Sequence, residues 1–309
     1  ALEREFRELG SNKLFISGGE ASKTMDSFQS LLKMLSDERL DRGSVLVAIG
    51  GGSISDLVGF ISSIYLRGIS YTVIPSTLLN IVDASIGGKN GINFGKRKNQ
   101  IGTIYQPDFI FLYQPLLQTI PKQELSNGFA EIIKYAVTLD KKLFSDLLEL
   151  SLENILSDYK ILEQIINSCI IHKSSIVEKD PFELDMRRIL NFGHTIGHAI
   201  ESLTSLSHGP SIGLGMIFAT EISHVHFRSN ENSSNKLRQV LTQFELPVVC
   251  DELNSKSLIE KIEYDKKRIS DSLHFVMLAK VGGVRVEKLS VVKIVDYLDR
   301  AEKEKWIFR

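Results

Sequence analysis

The run Val45-Leu-Val-Ala-Ile-Gly-Gly-Gly-Ser-Ile-Ser-Asp56 decides the fold class. Its first five residues are apolar and alternately β-branched, the composition of a buried strand, and three glycines then break the chain. An apolar helical stretch follows directly. Strand, turn and helix in that order form the repeating unit of a parallel sheet with crossover helices. Glycines at 50, 51 and 52 leave no Cβ in the way of an anion, so backbone N–H groups and the helix N-terminus can face a pyrophosphate. The spacing matches neither the three-glycine dinucleotide fingerprint nor a Walker loop, and a plain tight turn explains it equally well. Asp56 falls in the first helical turn, where the helix dipole alone favours an acid.

Working outward, Tyr71-Thr-Val-Ile74 stops at Pro75 and Phe109-Ile-Phe-Leu-Tyr113 stops before Pro115. Both read as buried strands. Between them, residues 87–99 are rich in Gly, Lys and Asn and read as a loop, too polar for core. Residues 1–9 are polar and helix-like, where a sheet of this kind opens with its own strand–turn–helix unit; that unit is expected to be missing from the sequence. Beyond Pro121 the period changes to three and four, predicting helices over 124–137, 142–157, 159–178, 187–203, 211–227 and 234–244. Residues 275–279 and 284–288 flank Gly282-Gly283 as a hairpin, and 291–304 close the chain as a helix. The expected organisation is an α/β domain over 1–122 and a mostly helical domain over 123–309, with the default ligand site in a cleft between them.

Composition narrows the function. The 309 residues carry a formal net charge of −1, so no global basic field points to nucleic acid or an anionic membrane. No apolar run has the length of a bilayer span. Cys169 and Cys250 each sit in an apolar stretch, which suits two buried thiols in a reducing cytoplasm.

Three histidines stand out. His194 and His198 are four apart, on one helical face, and His208 follows in Ser207-His-Gly209. Two helical imidazoles and a third from a loop can converge on one divalent ion, although hydrogen-bonded core histidines give the same pattern. Thr195 stands where a zinc protease needs glutamate, which excludes that class. Glu131 is an acid inside an apolar helical segment, with Lys134 one turn on, a pattern that a local ion pair also produces. His224 and His226, two apart, point to different faces and read as structural.

Taken jointly, the strings resemble the 3-dehydroquinate synthase family from about Gly18 to the last helix. They are Gly19-Glu-Ala-Ser-Lys-Thr24, Gly50-Gly-Gly-Ser-Ile-Ser-Asp56, Tyr65-Leu-Arg-Gly68, Ile74-Pro-Ser-Thr-Leu-Leu79, Val82-Asp-Ala-Ser-Ile-Gly-Gly-Lys89, Gly128-Phe-Ala-Glu-Ile-Ile-Lys-Tyr135, the run 190–201, His208-Gly209 and Asp265-Lys-Lys267. The resemblance implies an NAD-binding α/β domain, a helical metal-binding domain and a homodimer. It implies metal ligands at Glu131, His194 and His208, with His198 beside the ion instead of on it. Nucleotide contacts fall on Glu20, Lys23, Gly51, Gly52, Ser53, Asp56, Ser76, Thr77, Lys89, Lys98 and Thr119. Substrate contacts fall on Arg67, Asp83, Lys89, Asn99, Lys134, Lys173, Glu183, Arg187, Asn191, His198 and one or both of Lys266 and Lys267.

The implied reaction makes a carbocycle from a small anionic sugar phosphate, 3-deoxy-D-arabino-heptulosonate 7-phosphate, in the shikimate pathway. A metal, zinc or cobalt by its donor set, polarises the substrate hydroxyls. Hydride passes to NAD, phosphate is eliminated, hydride returns, and ring opening and an aldol step close the product. Four departures bear on this. Pro210 replaces the usual acid after His-Gly, the 194–208 connection is short, Asn90 replaces a Thr, and Asp185 replaces a Gly. The alternatives are a related cyclase making an amino-analogue or a cyclitol, a metal-dependent NAD alcohol dehydrogenase, and a non-catalytic nucleotide-binding relative.

Overall fold

The computed structural model describes residues 13–95, 97–229, 231–269 and 272–308, leaving aside the side chains at 114 and 263–269. The segment 1–9 and the side chains of Lys266 and Lys267, which carried expectations above, lie outside the described residues. The chain forms two compact units, one of residues 1–74 with 88–111, the other of 75–87 with 112–309.

In the first unit, α1 (Met25–Asp37) starts where the Thr24 side chain accepts from the Ser27 N–H. Strand β1 (Val45–Gly50) runs into Gly51 and then α2 (Gly52–Ile64), the unit read from sequence. The sheet is ordered β1, β2 (Ser70–Pro75), β5 (Phe109–Ile110), and β2 pairs with β5 in parallel. β5 is two residues long, shorter than the strand expected over 109–113, and Phe109 is exposed where a buried strand was expected. Phe28, Leu31 and Leu35 of α1 pack on Leu57, Phe60 and Ile61 of α2, with the Phe28 and Phe60 rings 4.8 Å apart.

The polar segment expected as a loop is a hairpin. Strands β3 (Lys89–Phe94) and β4 (Arg97–Ile104) pair antiparallel, with Gly91 opposite Gly102. A Cβ on Gly102 would come within 2.0 Å of the Asn90 carbonyl, so these glycines serve close backbone approach, not a turn. Ile92 is fully buried, Asn90 on the same face bonds inward to the Gly88 and Tyr105 carbonyls, and Lys89, Lys98 and Asn99 are exposed.

In the second unit, α3 (Lys122–Leu139) is buried without a break from Leu125 to Thr138. Helices α4 (Lys141–Leu148) and α5 (Leu152–Ser157) replace the single helix expected over 142–157, because Ser151 and Asn154 form a capping box that starts a new helix. After α6 (Tyr159–Lys179), the helix expected over 187–203 is cut in two. A 3₁₀ turn (Met186–Asn191) ends before Gly193, which is left-handed at φ 79°, and α7 (His194–Leu203) begins after it. A Cβ on Gly193 would meet Met216 of α8 (His208–Phe227) at 2.6 Å, so the break lets the chain approach that buried helix. Helix α9 (Ser233–Gln243), the polar and unforeseen α10 (Ser255–Ile269), the hairpin β6 (Ser272–Lys280) and β7 (Gly283–Ser290), and α11 (Val291–Lys303) complete the unit. Cys169 and Cys250 are buried free thiols. His224 and His226 tie α8 to its neighbours through Ser233 Oγ (2.6 Å) and Tyr297 OH (3.2 Å). No helix among the described residues is long and apolar enough to cross a membrane.

Candidate active site

Helix α3 carries two charges through the core of the second unit, where charge survives only when paired. Glu131 is fully buried and Lys134 is 1% exposed. Lys134 Nζ is ion-paired with Glu131 Oε2 and stands 3.7 Å from Asp83 Oδ2. Asp83 sits on a π-type turn (Asn80–Ala84) and accepts at Oδ1 from Lys173 Nζ of α6 and from Tyr135 OH at 2.8 Å. Burial opposes the charge on Asp83, yet Lys134 and Lys173 hold its carboxyl below the usual range. Lys134 is raised for the reciprocal reason, Asp83 and Glu131 outweighing burial. Burial prevails at Lys173, whose ammonium is pushed down.

The other oxygen of Glu131 faces two imidazoles. Oε1 lies 3.1 Å from His208 Nε2 and 3.5 Å from His194 Nε2. Donors bound tetrahedrally at about 2.0–2.1 Å from a zinc-sized ion stand roughly 3.3 Å apart, so the spacing suits one divalent cation. The tautomers suit it too. His194 directs Nδ1 at the Phe192 carbonyl (3.1 Å), and His208 directs Nδ1 at Glu201 Oε2 (3.5 Å), which leaves both Nε2 atoms on the Glu131 side. Burial brings His194 down to about 3, so its ring is neutral and offers a lone pair. Burial also opposes charge on His208, but hydrogen bonding to Glu131 and Glu201 pushes it up to about 9. Glu131 Oε2 is taken up by the Lys134 ammonium, which leaves Oε1 as the oxygen that faces the imidazoles. The exposed His198 ring is 5.2 Å from that of His194, beside the three donors. Glu131, His194 and His208 thus form one group of donors that could hold an ion, and His198, Glu201 and His208 form a second.

The remaining expected residues fall into two groups. On the first unit, Gly51 caps α2 without a side chain, so the first-turn amides at Gly52 and Ser53 have no side-chain acceptor from the cap. Lys23, 2% exposed, donates to Asp56 Oδ2 (2.6 Å) and to Asn99 Oδ1. The first turn of α2 holds no acid, so Asp56, expected there, lies past it and serves the ion pair with Lys23 instead of the helix dipole. Glu20 accepts from Asn93 Nδ2 at 2.8 Å, and Asn93 in turn holds the Asn99 N–H at 2.9 Å. Arg67, Lys89 and Lys98 are exposed, Arg67 in left-handed backbone at φ 69°. On the second unit, Thr77 Oγ1 caps the Asn80 N–H at 3.3 Å, and Thr119 Oγ1 donates to Leu116 O at 2.9 Å. Ser76 is half-buried beside Thr77. Asn191 Nδ2 donates to Glu183 Oε1 at 2.5 Å, and the buried Arg187 donates to the Pro181 and Gly87 carbonyls.

Comparison with known proteins decides the lineage. The 3-dehydroquinate synthase N-terminal family profile matches residues 13–127, and the 3-dehydroquinate synthase C-terminal profile matches residues 128–268. The chain belongs to the 3-dehydroquinate synthase family. A 3-dehydroquinate synthase from Enterococcus faecalis is 36% identical over 305 residues, 97% of this chain and 85% of its own length. One from Sulfolobus acidocaldarius is 44% identical over 245 residues, 78% of this chain and 69% of its own. Among solved structures, a 2-deoxy-scyllo-inosose synthase complexed with carbaglucose-6-phosphate, NAD+ and Co2+ is 26% identical with a TM-score of 0.82, covering 93% of this chain and 82% of that one.

The structure absorbs the four departures from the 3-dehydroquinate synthase pattern. Pro210 lies in the first turn of α8, where the helix needs no amide donor from it. The short 194–208 connection still brings His208 to Glu131. Asn90 turns its amide to the Gly88 and Tyr105 carbonyls, at 2.9 and 2.7 Å, inside the first unit. Asp185 has φ −145°, a value that needs no glycine. Reading the sequence missed Tyr135, Asp180 and Glu201. Tyr135 and Glu201 end matched strings, and Asp180 precedes a proline at a helix end, a turn signal that was there to be read.

Proposed function

We propose that this chain is a 3-dehydroquinate synthase that converts 3-deoxy-D-arabino-heptulosonate 7-phosphate into 3-dehydroquinate and phosphate. The observation that carries the reading is the meeting of Glu131, His194 and His208 beside the buried Asp83–Lys134–Lys173 cluster, in a chain of this family. Two imidazoles and one carboxylate suit zinc or cobalt. When bound, the metal supplies Lewis acidity at the substrate hydroxyls and NAD supplies a hydride acceptor restored in each turnover. The protein's own part is placement and charge. Lys134, Lys173 and Arg187 are buried cations, and in low dielectric they bind phosphate and carboxylate groups with more force than surface lysines could. Lys173, held below its ordinary value by burial, can give up a proton more readily than an exposed lysine. Asp83, fixed by Tyr135 and both lysines, keeps those cations apart and oriented.

On the first unit, the Gly51 turn, Ser53, Glu20, Lys23, Asp56 and Lys98 form the nucleotide side of the reading, joined by Ser76, Thr77 and Thr119. Arg67, Lys89, Asn99, Glu183, Asn191, His198 and Lys267 complete the substrate side. The enzyme is read as a cytoplasmic homodimer. Incubation with the heptulosonate phosphate, NAD and zinc or cobalt is expected to release one phosphate per product without accumulating NADH. Failure to release phosphate removes this substrate, and a steady build-up of NADH would indicate a dehydrogenase instead.

A further inference from the structure

The segment that follows α6 is held by one carboxylate. Asp180 ends the helix, its N–H bonded to Ile176 O at 3.0 Å, and Pro181 stops any continuation. The Asp180 side chain then accepts three backbone N–H groups from the returning chain: Leu184 at 2.9 Å on Oδ1, Asp185 at 2.8 Å and Arg187 at 2.9 Å on Oδ2. Little apolar packing helps. Phe182 and Leu184 are 61% and 72% exposed, so the loop is not folded by burying its large side chains. It also contains a strained residue. Glu183 adopts φ 57°, a left-handed conformation that is unfavourable for a non-glycine residue and persists only where neighbouring bonds impose it.

Both side chains that the loop presents are tied onward. Glu183 accepts from Asn191 Nδ2. Arg187, 2% exposed, places its guanidinium on the Pro181 and Gly87 carbonyls at 2.7 and 3.0 Å. A Cβ on Gly87 would lie 2.2 Å from Arg187 Nη2, so the glycine leaves the guanidinium room that a side chain would take.

We infer that Asp180 is a positioning residue for substrate binding: its carboxylate sets the 181–187 loop, and through it the stations of Glu183, Arg187 and Asn191. The inference rests on the reading of those three as substrate contacts. Asp180 touches no reacting atom. Replacing it therefore displaces its dependents and leaves the metal donors on α3, α7 and α8 where they are.

The test compares wild type with Asp180→Asn, which keeps the size but turns one acceptor oxygen into a donor facing an N–H. Phosphate release from the heptulosonate phosphate, with NAD and zinc, is expected to fall about 10- to 100-fold in kcat/KM, mostly through KM. Metal content per chain and NAD affinity stay at the wild-type level. Hydrogen exchange quickens at the amides of Leu184, Asp185 and Arg187 and not along α3. Adding Asp180→Asn to Glu183→Gln costs less than the two changes summed, because part of the Asp180 effect runs through Glu183. Should Asp180→Asn not fold, Asp180→Glu, which keeps the charge and moves it by one methylene, is read by the same measurements. A wild type silent on this substrate overturns the substrate reading and this inference with it. A working wild type with an unchanged variant, or full additivity with Glu183→Gln, overturns the inference alone.

Discussion

The two units handle charge in opposite ways. On the second, Glu131, Lys134, Asp83 and Lys173 form a cluster withdrawn from water, and every charge is balanced by another within it. On the first, Lys23 is buried against Asp56, but Arg67, Lys89 and Lys98 stand in solvent on turns and on the hairpin. A buried cluster is organised before any ligand arrives, and its parts depend on one another for the stability of the fold. Exposed lysines carry little of the fold and act when an anion comes to them. The difference predicts that substitutions in the second unit damage stability and function together, whereas exposed charges on the first separate the two.

The largest effect is expected from Lys134→Ala. It leaves Glu131 and Asp83 with less compensation in a buried place, a loss of about 3–5 kcal/mol by urea denaturation of metal-free protein. A wild-type urea midpoint for this variant would mean that the cluster is solvated and the contrast false. The same cluster fixes the direction in acid. Glu131 and Asp83 have folded-state pKa values below the ordinary 4.5 and 3.8, so the stability they give is complete above those values and lost as pH falls through the lower, folded ones. Unfolding curves from pH 6 to pH 2 should show that loss, and it should be weaker in Lys134→Ala.

Metal removal comes next. An ion present at 100 times its dissociation constant adds about 2.7 kcal/mol to the folded state, so chelation should lower the melting temperature and His208→Ala should abolish the difference. A chelator-insensitive melting temperature in protein shown to carry metal would separate the three donors from the ion.

Gly102→Ala tests the first unit by shape instead of charge. With the Asn90 carbonyl 2.0 Å from the new Cβ, it should cost about 1–3 kcal/mol. An unshifted melting temperature would show that β3 and β4 can part there cheaply. Lys98→Ala is expected to do least to the fold, within about 0.5 kcal/mol, while raising the KM for NAD. A loss of stability as large as that of Lys134→Ala would erase the distinction between the units.

Much of this organisation was legible beforehand. The strand–glycine–helix unit at 45–64, the helices α3, α6, α8 and α11 and the closing hairpin follow from periodicity and turn residues. The 87–99 segment did not, because a strand whose outer face is Lys and Asn and whose inner contacts are made by glycine has the composition of a loop. Helix α10 escaped because it is largely polar. At the site, the resemblance named Glu131, His194 and His208, while the bare residues left a core-histidine reading open. Asp180 was invisible as a partner, since its three acceptances are from backbone amides, which every residue except proline carries.

The sequence by itself determined the strand–glycine–helix unit, the apolar helices and the closing hairpin, and which side chains have the chemistry to hold a metal, a nucleotide and an anion. Spacing along the chain encodes periodicity and donor type, and those are local. Tertiary structure alone decided that Glu131, from one helix, meets His194 and His208 from two others. It also decided that burial pushes the His194 imidazole down while, in metal-free protein, Glu131 and Glu201 push His208 up, because burial and neighbouring charge are set by residues distant in the chain.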